Sequence, residues 1–368
     1  MSMLLDRDEL NVRVATACPE AASHGAGIGP CLRPDTAPTP ARLAPLMPPH
    51  RPGLPLRVGT RASPLALTQT RAFFRTLSGF CPVLRGMDVF QEHAMRTTGD
   101  ATQASGVRLA DLGGKGLFSK EIHEALADRR IDFAVHSLKD LETELPDGIV
   151  LACTLKREDA RDALILGPDL DPDGLAHPYD ALPQGCRVGS GSLRRQAQLL
   201  HARPDLRVEN IRGNVHGRLD KVRRGDFAAS LLALAGLRRL GLEHEASVVL
   251  DPDVMLPSAC QGIVGITVRA ESTELRELLA AMEDPAARAV SRAERSLLAA
   301  LDGSCHTPIA GYARLLPEGR LRLDALVARA DGSFLLRRGI ECLRADAVRA
   351  GLELGDSLRA DSPADIFA

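Results

Sequence analysis

The chain places its reactive side chains where strands and helices are expected to begin or end. Cys305 stands in Asp302-Gly-Ser-Cys-His-Thr-Pro, a glycine-containing turn with Ser304 before it and His306 after it. An adjacent imidazole can lower a thiol pKa, which would make Cys305 a nucleophile or an attachment point; the plainer alternative is an inert, buried cysteine. The run Ala134-Val-His-Ser-Leu-Lys-Asp ends an apolar segment and at once offers His136, Ser137, Lys139 and Asp140. Polar groups at the carboxyl end of a strand are the usual site arrangement of open α/β sheets. A carboxylate there could stabilise developing positive charge or move a proton. A capped turn with a surface ion pair would look the same.

Arginines gather at similar positions. Arg61 follows the first apolar segment, and Arg194 and Arg195 open a helix behind Gly189-Ser-Gly-Ser. Arg212 lies in Ile-Arg-Gly-Asn, Arg218 follows within the next helix, and Arg239 comes after Gly236. Guanidinium forks match carboxylates bidentately, so the set suits a ligand with several carboxylates. Solvated helix ends would explain any one of them, and the Gly-Ser-Gly-Ser turn before a helix would suit phosphate equally well. Gly113-Gly-Lys-Gly-Leu-Phe sets Lys115 among glycines that let a backbone approach a ligand. It lacks the spacing of a Walker motif, and an ordinary glycine loop is the other reading.

Composition removes several classes. Of the 368 residues 26% are charged, for a formal net charge of −2, so no global field favours nucleic acid or an anionic membrane. Aromatic residues make up 3% and Trp is absent, leaving little for base stacking. No apolar run approaches the roughly 18 residues a bilayer span requires. The eight cysteines form no Cys-x-x-Cys pair and no metal-ligand spacing. These features predict a cytoplasmic protein with reduced thiols, no metal, no membrane and no nucleic-acid partner.

Residues 1–53 are proline-rich, lack apolar periodicity, and are expected to be a disordered extension. From Leu54 onward strands and helices alternate. A strand is predicted over Leu54–Gly59, then a helix capped by Ser63 with Pro64 at its first position. A helix at Leu117–Ala127 feeds a strand at Ile131–Val135. The plan recurs with a helix at Leu193–Ala202 capped by Ser192, a strand at Leu206–Asn210, a helix at Val215–Arg224 and a strand at Ala228–Ala235. Asp132-Phe-Ala-Val and Asp226-Phe-Ala-Ala echo each other, which suggests two α/β domains of like design with ligands between the carboxyl ends of their strands. A helix over Ala287–Leu301 then leads through a turn to alternating strands, the mark of a smaller α+β domain.

Taken together and in order, these segments resemble the hydroxymethylbilane synthase (porphobilinogen deaminase) family over residues 54–368. The anchors are Arg57-Val-Gly-Thr-Arg-Ala-Ser-Pro-Leu-Ala-Leu, Gly113-Gly-Lys-Gly-Leu-Phe, His136-Ser-Leu-Lys-Asp, Gly191-Ser-Leu-Arg-Arg-Gln, Ile211-Arg-Gly-Asn-Val, Ala235-Gly-Leu-Arg-Arg-Leu and Asp302-Gly-Ser-Cys-His-Thr-Pro. The resemblance implies an α/β fold with two type II periplasmic-binding-protein-like domains around a cleft, residues 54–159 with 262–284 and residues 160–261. It implies a small α+β C-terminal domain, residues 285–368, that carries the cofactor cysteine. It further implies a monomeric transferase of tetrapyrrole biosynthesis, which joins four porphobilinogens into hydroxymethylbilane and releases ammonia.

By the same resemblance, Cys305 holds a dipyrromethane cofactor through a thioether, and Asp140, assisted by Lys139, carries the chemistry at the pyrroles. Arg61, Lys115, Ser137, Ser190, Ser192, Arg194, Arg195, Arg212, Arg218, Arg239 and Gln261 would bind the cofactor and the acetate and propionate groups. Four positions depart from the family pattern: Glu142 and Ala160 where proline is usual, Cys260 where glycine is usual, and Thr267 where glutamate is frequent. Two readings remain beside active catalysis, a non-catalytic solute receptor and a family member that loads cofactor but turns over poorly.

Overall fold

The computed structural model describes residues 53–84, 88–101, 116–302 and 307–367. All but the last residue of the expected extension, together with Lys115 and Cys305, therefore lies outside the described residues.

The first unit begins with strand β1 (Leu56–Arg61) and helix α1 (Pro64–Phe80). Ser63 starts α1 as expected: its Oγ accepts from the Ala66 N–H at 3.4 Å, and Pro64, which has no N–H to satisfy, takes the first helical position. Thr70, Phe73 and Leu77 then fall on one buried face. Phe73 meets Phe133 edge-on at 5.7 Å; burying such a ring fully stabilises by about 1.5–3 kcal/mol. Strand β2 (Phe90–Met95), the short helix α2 (Thr98–Ala101), helix α3 (Lys120–Ala127), strand β3 (Phe133–Ser137) and strand β4 (Ile149–Thr154) follow.

The chain then crosses into a second unit: β5 (Asp162–Leu166), β6 (Arg187–Gly189), α4 (Leu193–Ala202), β7 (Arg207–Glu209), α5 (Val215–Arg223), β8 (Ala229–Ala233), α6 (Leu234–Arg239) and β9 (Val248–Val249). It returns as β10 (Val264–Arg269) and α7 (Thr273–Ala280). A final run comprises α8 (Pro285–Ala300), the strands β11 (Ile309–Leu315), β12 (Arg320–Ala328) and β13 (Leu335–Leu343), and α9 (Ala347–Ala360).

Among the described residues the first sheet has the order β2-β1-β3-β10-β4 and the second β7-β6-β8-β5-β9. In each, three neighbouring strands are parallel and the next is antiparallel, β10 in one and β5 in the other. The echo seen in the sequence thus has a structural counterpart: β3 and β8 hold the same central place in their sheets. Mixed sheets of this kind, covered by helices, make the fold α/β, with the antiparallel β11-β12-β13 sheet, α8 and α9 forming the small α+β unit.

The two crossings run side by side, with Leu155 N–H donating to Val264 O at 2.9 Å and Glu158 N–H to Gly262 O at 3.1 Å. Gly262 is required there: its φ is +88°, and a Cβ would stand 2.3 Å from the Glu158 carbonyl oxygen. Cys260, two residues earlier, also adopts a left-handed backbone, with φ +61°. A side chain at that angle is disfavoured, which explains why glycine suits the position. The conformation is held by the Cys260 N–H donating to Glu294 Oε2 at 2.5 Å and by burial of the thiol.

Candidate active site

Apolar side chains fix the turn that carries the candidate carboxylate. Strand β3 ends at Ser137 and passes into a single 3₁₀ turn, Leu138–Asp140. Leu138 and Leu141 are buried in the same core cluster as Leu297, Leu301 and Ile309 of the C-terminal unit. The two residues between them, Lys139 and Asp140, line a cavity of about 330 Å³. Lys139 Nζ donates to Gln261 Oε1 at 3.0 Å, and burial brings its ammonium down to about 8 although Asp140 opposes the shift.

Arg61, at the end of β1, approaches Asp140 Oδ2 at 3.4 Å through Nη1. Its other edge is already engaged, with Nη2 2.6 Å from Asp100 Oδ1 and Nε 3.3 Å from Oδ2. The guanidinium also lies 4.1 Å from the centre of the Phe118 ring. Burial disfavours the charge of Asp100, but Arg61 and Thr97 hold its carboxyl below the usual carboxylate range. Arg61 is thus a fixed cation beside Asp140.

Asp162 organises the opposite group of arginines. It opens β5, is fully buried, and receives Arg195 through Nη2 at 2.7 Å and Nε at 3.2 Å on Oδ1. Arg194 Nη1 stands 2.8 Å from Oδ2, and Gln261 Nε2 reaches Oδ1 at 2.9 Å. Burial works against the charge of Asp162, yet the two guanidiniums hold its carboxyl well below the usual range. Arg195 Nη1 donates to Leu231 O at 2.8 Å and Arg194 Nη1 also donates to Leu256 O at 2.7 Å, while Arg194 Nε is buried without a hydrogen-bond partner among the described residues. Arg194 and Arg195 therefore form a cationic floor locked from behind.

Arg212 and Arg218 complete the basic lining. Arg218 donates from Nε to Gly213 O at 3.0 Å; burial, reinforced by Arg195 and Arg212, pulls it down to about 10. Gly191, Ser192, Leu65, Phe118, Leu232 and Leu240 line the cavity with Thr307 and Ile309. Of the residues expected from sequence and described here, the cavity brings together Arg61, Lys139, Asp140, Ser192, Arg194, Arg195, Arg212, Arg218 and Gln261. Ser137, Ser190 and Arg239 lie off its wall. Ser137 Oγ donates to Gln69 Oε1 at 3.1 Å, Ser190 Oγ accepts the Ser192 N–H at 3.2 Å, and Arg239 Nη2 donates to Gly262 O at 2.5 Å in the crossing. Ser192 stands at the N-cap of α4, but its side chain makes no capping bond.

All but one of the departures from the family pattern have local explanations. Thr267 Oγ1 lies 2.8 Å from His136 Nε2, both are buried, and burial drives His136 down to about 3, so a hydroxyl faces a neutral ring. Ala160 is buried and its carbonyl accepts from Gln261 Nε2 at 2.7 Å, but any residue offers that carbonyl, and nothing in the structure explains alanine there. Glu142 turns away from the cavity toward Ser119 at the start of α3. Sequence reasoning missed Asp162, Asp100 and Phe118. The usable signal for Asp162 was an acid directly before Ala-Leu-Ile-Leu, where a charge entering a buried strand needs a partner.

The donor set fits a ligand of pyrroles bearing carboxylates. Among the described residues, five arginines and a lysine face one lining carboxylate, with apolar side chains interspersed. The matching family models and the sequence relatives agree. Residues 56–277 match the porphobilinogen deaminase, dipyromethane cofactor binding domain, and residues 289–360 match the porphobilinogen deaminase C-terminal domain. A porphobilinogen deaminase of Paracoccus denitrificans is 43% identical over 316 residues, 85% of this chain and 96% of that protein. One of Sorangium cellulosum is 47% identical over 309 residues, 83% of this chain and 98% of the relative. Among solved structures, the VFT2 domain of Bordetella pertussis BvgS aligns at 15% identity and a TM-score of 0.35, covering 61% of this chain and 84% of that one. An ancestral cationic amino acid solute binding protein aligns at 14% and 0.38, covering 62% and 87%. With both family domains present in order and relatives matched over nearly their whole length, the chain belongs to the porphobilinogen deaminase family.

Proposed function

We propose that Asp140 and Lys139 carry the deaminating condensation of porphobilinogen in this cavity, on a dipyrromethane joined by a thioether to Cys305. The observation that carries this reading is the position of Thr307 and Ile309. Both line the cavity that holds Asp140, so the chain is at its wall two residues after Cys305. When bound, dipyrromethane would supply the free pyrrole α-carbon that takes the first porphobilinogen, each later one adding to the last ring of the growing chain. Asp140 accepts hydrogen bonds from pyrrole N–H groups and offsets the positive charge left on the substrate ring as ammonia departs. Lys139, with its pKa lowered toward neutrality, is suited to exchange the protons that deamination and carbon–carbon bond formation move. Arg212 and Arg218 bind acetate and propionate groups, and the locked pair Arg194 and Arg195 supplies positive potential from the floor. Arg61 adds a fixed positive charge beside Asp140 for the same carboxylate groups.

The division into residues 54–159 with 262–284, 160–261 and 285–368 serves this chemistry by letting two α/β units close on a site that the third supplies with its thiol. We place the enzyme in the cytoplasm as a monomer; no helix among the described residues is long and apolar enough to cross a membrane. A Cys305→Ala variant is expected to fold, since it replaces one small side chain with another, and to form no tetrapyrrole. Cys186→Ala, in a half-buried position away from the cavity, is expected to keep its activity. Tetrapyrrole formation by folded Cys305→Ala at the wild-type rate would remove the thiol from its role.

A further inference from the structure

We infer that Glu142 is a positioning residue for Asp140, a role that rests on Asp140 being the site carboxylate. The turn bearing Asp140 has little backbone support of its own. Among the described residues, the Leu141 N–H donates to Leu138 O at 3.2 Å to close it, and the Leu138 N–H donates to Ile263 O at 2.9 Å. The Asp140 side chain is part-exposed and meets Arg61 only at 3.4 Å. Its orientation therefore depends on where the flanking backbone is held.

Glu142 holds that flank from both sides. Its Oε2 accepts from the buried Ser119 Oγ at 2.7 Å, at the first turn of α3. Its backbone carbonyl accepts from Arg295 Nη2 of α8 at 2.7 Å, and the same nitrogen reaches Thr143 O at 2.6 Å. Thus α8, the helix whose end leads to Cys305, is tied to the strand end that carries Asp140. The carboxylate is pressed close against its neighbours: a Cβ on Gly116, whose φ is +83°, would stand 2.1 Å from Glu142 Oε1. His123 Nδ1 lies 3.8 Å from Oε2, and the Glu142 side chain is only 14% exposed. A carboxylate costs free energy to hold in such a place, and the interaction it gains there is a tie between the Asp140 turn and α3.

The test uses the dipyrromethane-loaded holoenzyme and three variants, Glu142→Ala, Ser119→Ala and their double. Each single change is expected to lower kcat about tenfold with KM shifted less than about twofold, because a displaced carboxylate weakens the transition state more than binding. The double variant is expected to match the singles, since both remove the same tie. Glu142→Gln keeps an acceptor for Ser119 Oγ and is expected to recover most of kcat. Amide exchange in a peptide spanning 138–142 should rise in both single variants, a readout independent of turnover. Wild-type kcat and exchange in Glu142→Ala, or losses that add fully in the double, would overturn the inference. If Glu142→Ala does not fold, the milder Ser119→Ala decides it alone. Asp140→Asn, measured alongside, separates the two failures: an inactive Asp140→Asn beside a fully active Glu142→Ala sinks the positioning role and leaves Asp140 in place.

Discussion

Asp140→Asn is expected to yield a folded protein that still carries dipyrromethane but turns over about 10²–10³ times more slowly, the usual cost of losing one aligned electrostatic contact in a transition state. The substitution keeps the shape of the side chain, so Leu138 and Leu141 should stay anchored in the C-terminal core and the turn should persist. What disappears is negative charge in a lining otherwise dominated by Arg61, Lys139, Arg194, Arg195, Arg212 and Arg218. Those cations suit substrate carboxylates but oppose the charge that grows on the pyrrole ring as ammonia leaves. Because the stabilisation is needed mainly in the transition state, the loss should fall on kcat, with KM little changed. Rapid-mixing measurement of ammonia release separates this step from product hydrolysis. Turnover within about threefold of wild type would be too small a loss for an aligned charge contact and would remove Asp140 from its role.

Asp162→Ala is expected to lower unfolding free energy by about 3–5 kcal/mol, because it strands buried guanidiniums that have lost their counter-charge. Arg194, Arg195 and Gln261 all converge on this carboxylate, and Gln261 in turn holds Lys139. The damage should therefore reach the site as well as the fold. Urea titration gives the stability change, and a loss below about 1 kcal/mol would mean the arginines find other partners. The native interactions depress the Asp162 pKa relative to the unfolded chain, so its contribution is present above the unfolded carboxylate value. That contribution is lost as pH falls through the unfolded value toward the lower, native one. Wild type should lose stability on acidification across that window more steeply than Asp162→Ala does.

Local physics made part of this legible from residues alone. Ser63-Pro64 marked the start of α1, and α4 occupies Leu193–Ala202 as expected, because caps and apolar spacing are short-range signals. The Asp140 turn was readable for the same reason: an apolar strand ended in four polar residues. Boundaries failed where one pattern served two structures. The apolar run expected as a strand over Ala228–Ala235 divides at Ala233, and Leu234 begins α6, since a short apolar run does not declare its period. Helix α3 starts at Lys120 rather than Leu117 because Gly116, at positive φ, first makes a turn.

Roles set by distant partners were the least visible. Arg194 and Arg195 read as open forks, yet Asp162, at |i−j| of 33 from Arg195, occupies them. Arg239 read as a ligand group, and its partner is a carbonyl in the crossing. Which atom a guanidinium meets depends on how two sheets dock, and nothing within a few residues of either arginine encodes that.

Attachment of dipyrromethane to Cys305 is the claim on which the rest depends, and intact mass spectrometry of the purified chain under denaturing conditions tests it most directly. A thioether survives denaturation, whereas arginine–carboxylate contacts do not. The expected spectrum is the polypeptide plus one dipyrrole, with the added mass confined to the peptide that contains Cys305. Brief exposure to porphobilinogen should then add peaks at intervals of one pyrrole unit, and Cys305→Ala should show neither. A bare polypeptide mass in a preparation that is forming tetrapyrrole at full rate would contradict covalent priming at Cys305.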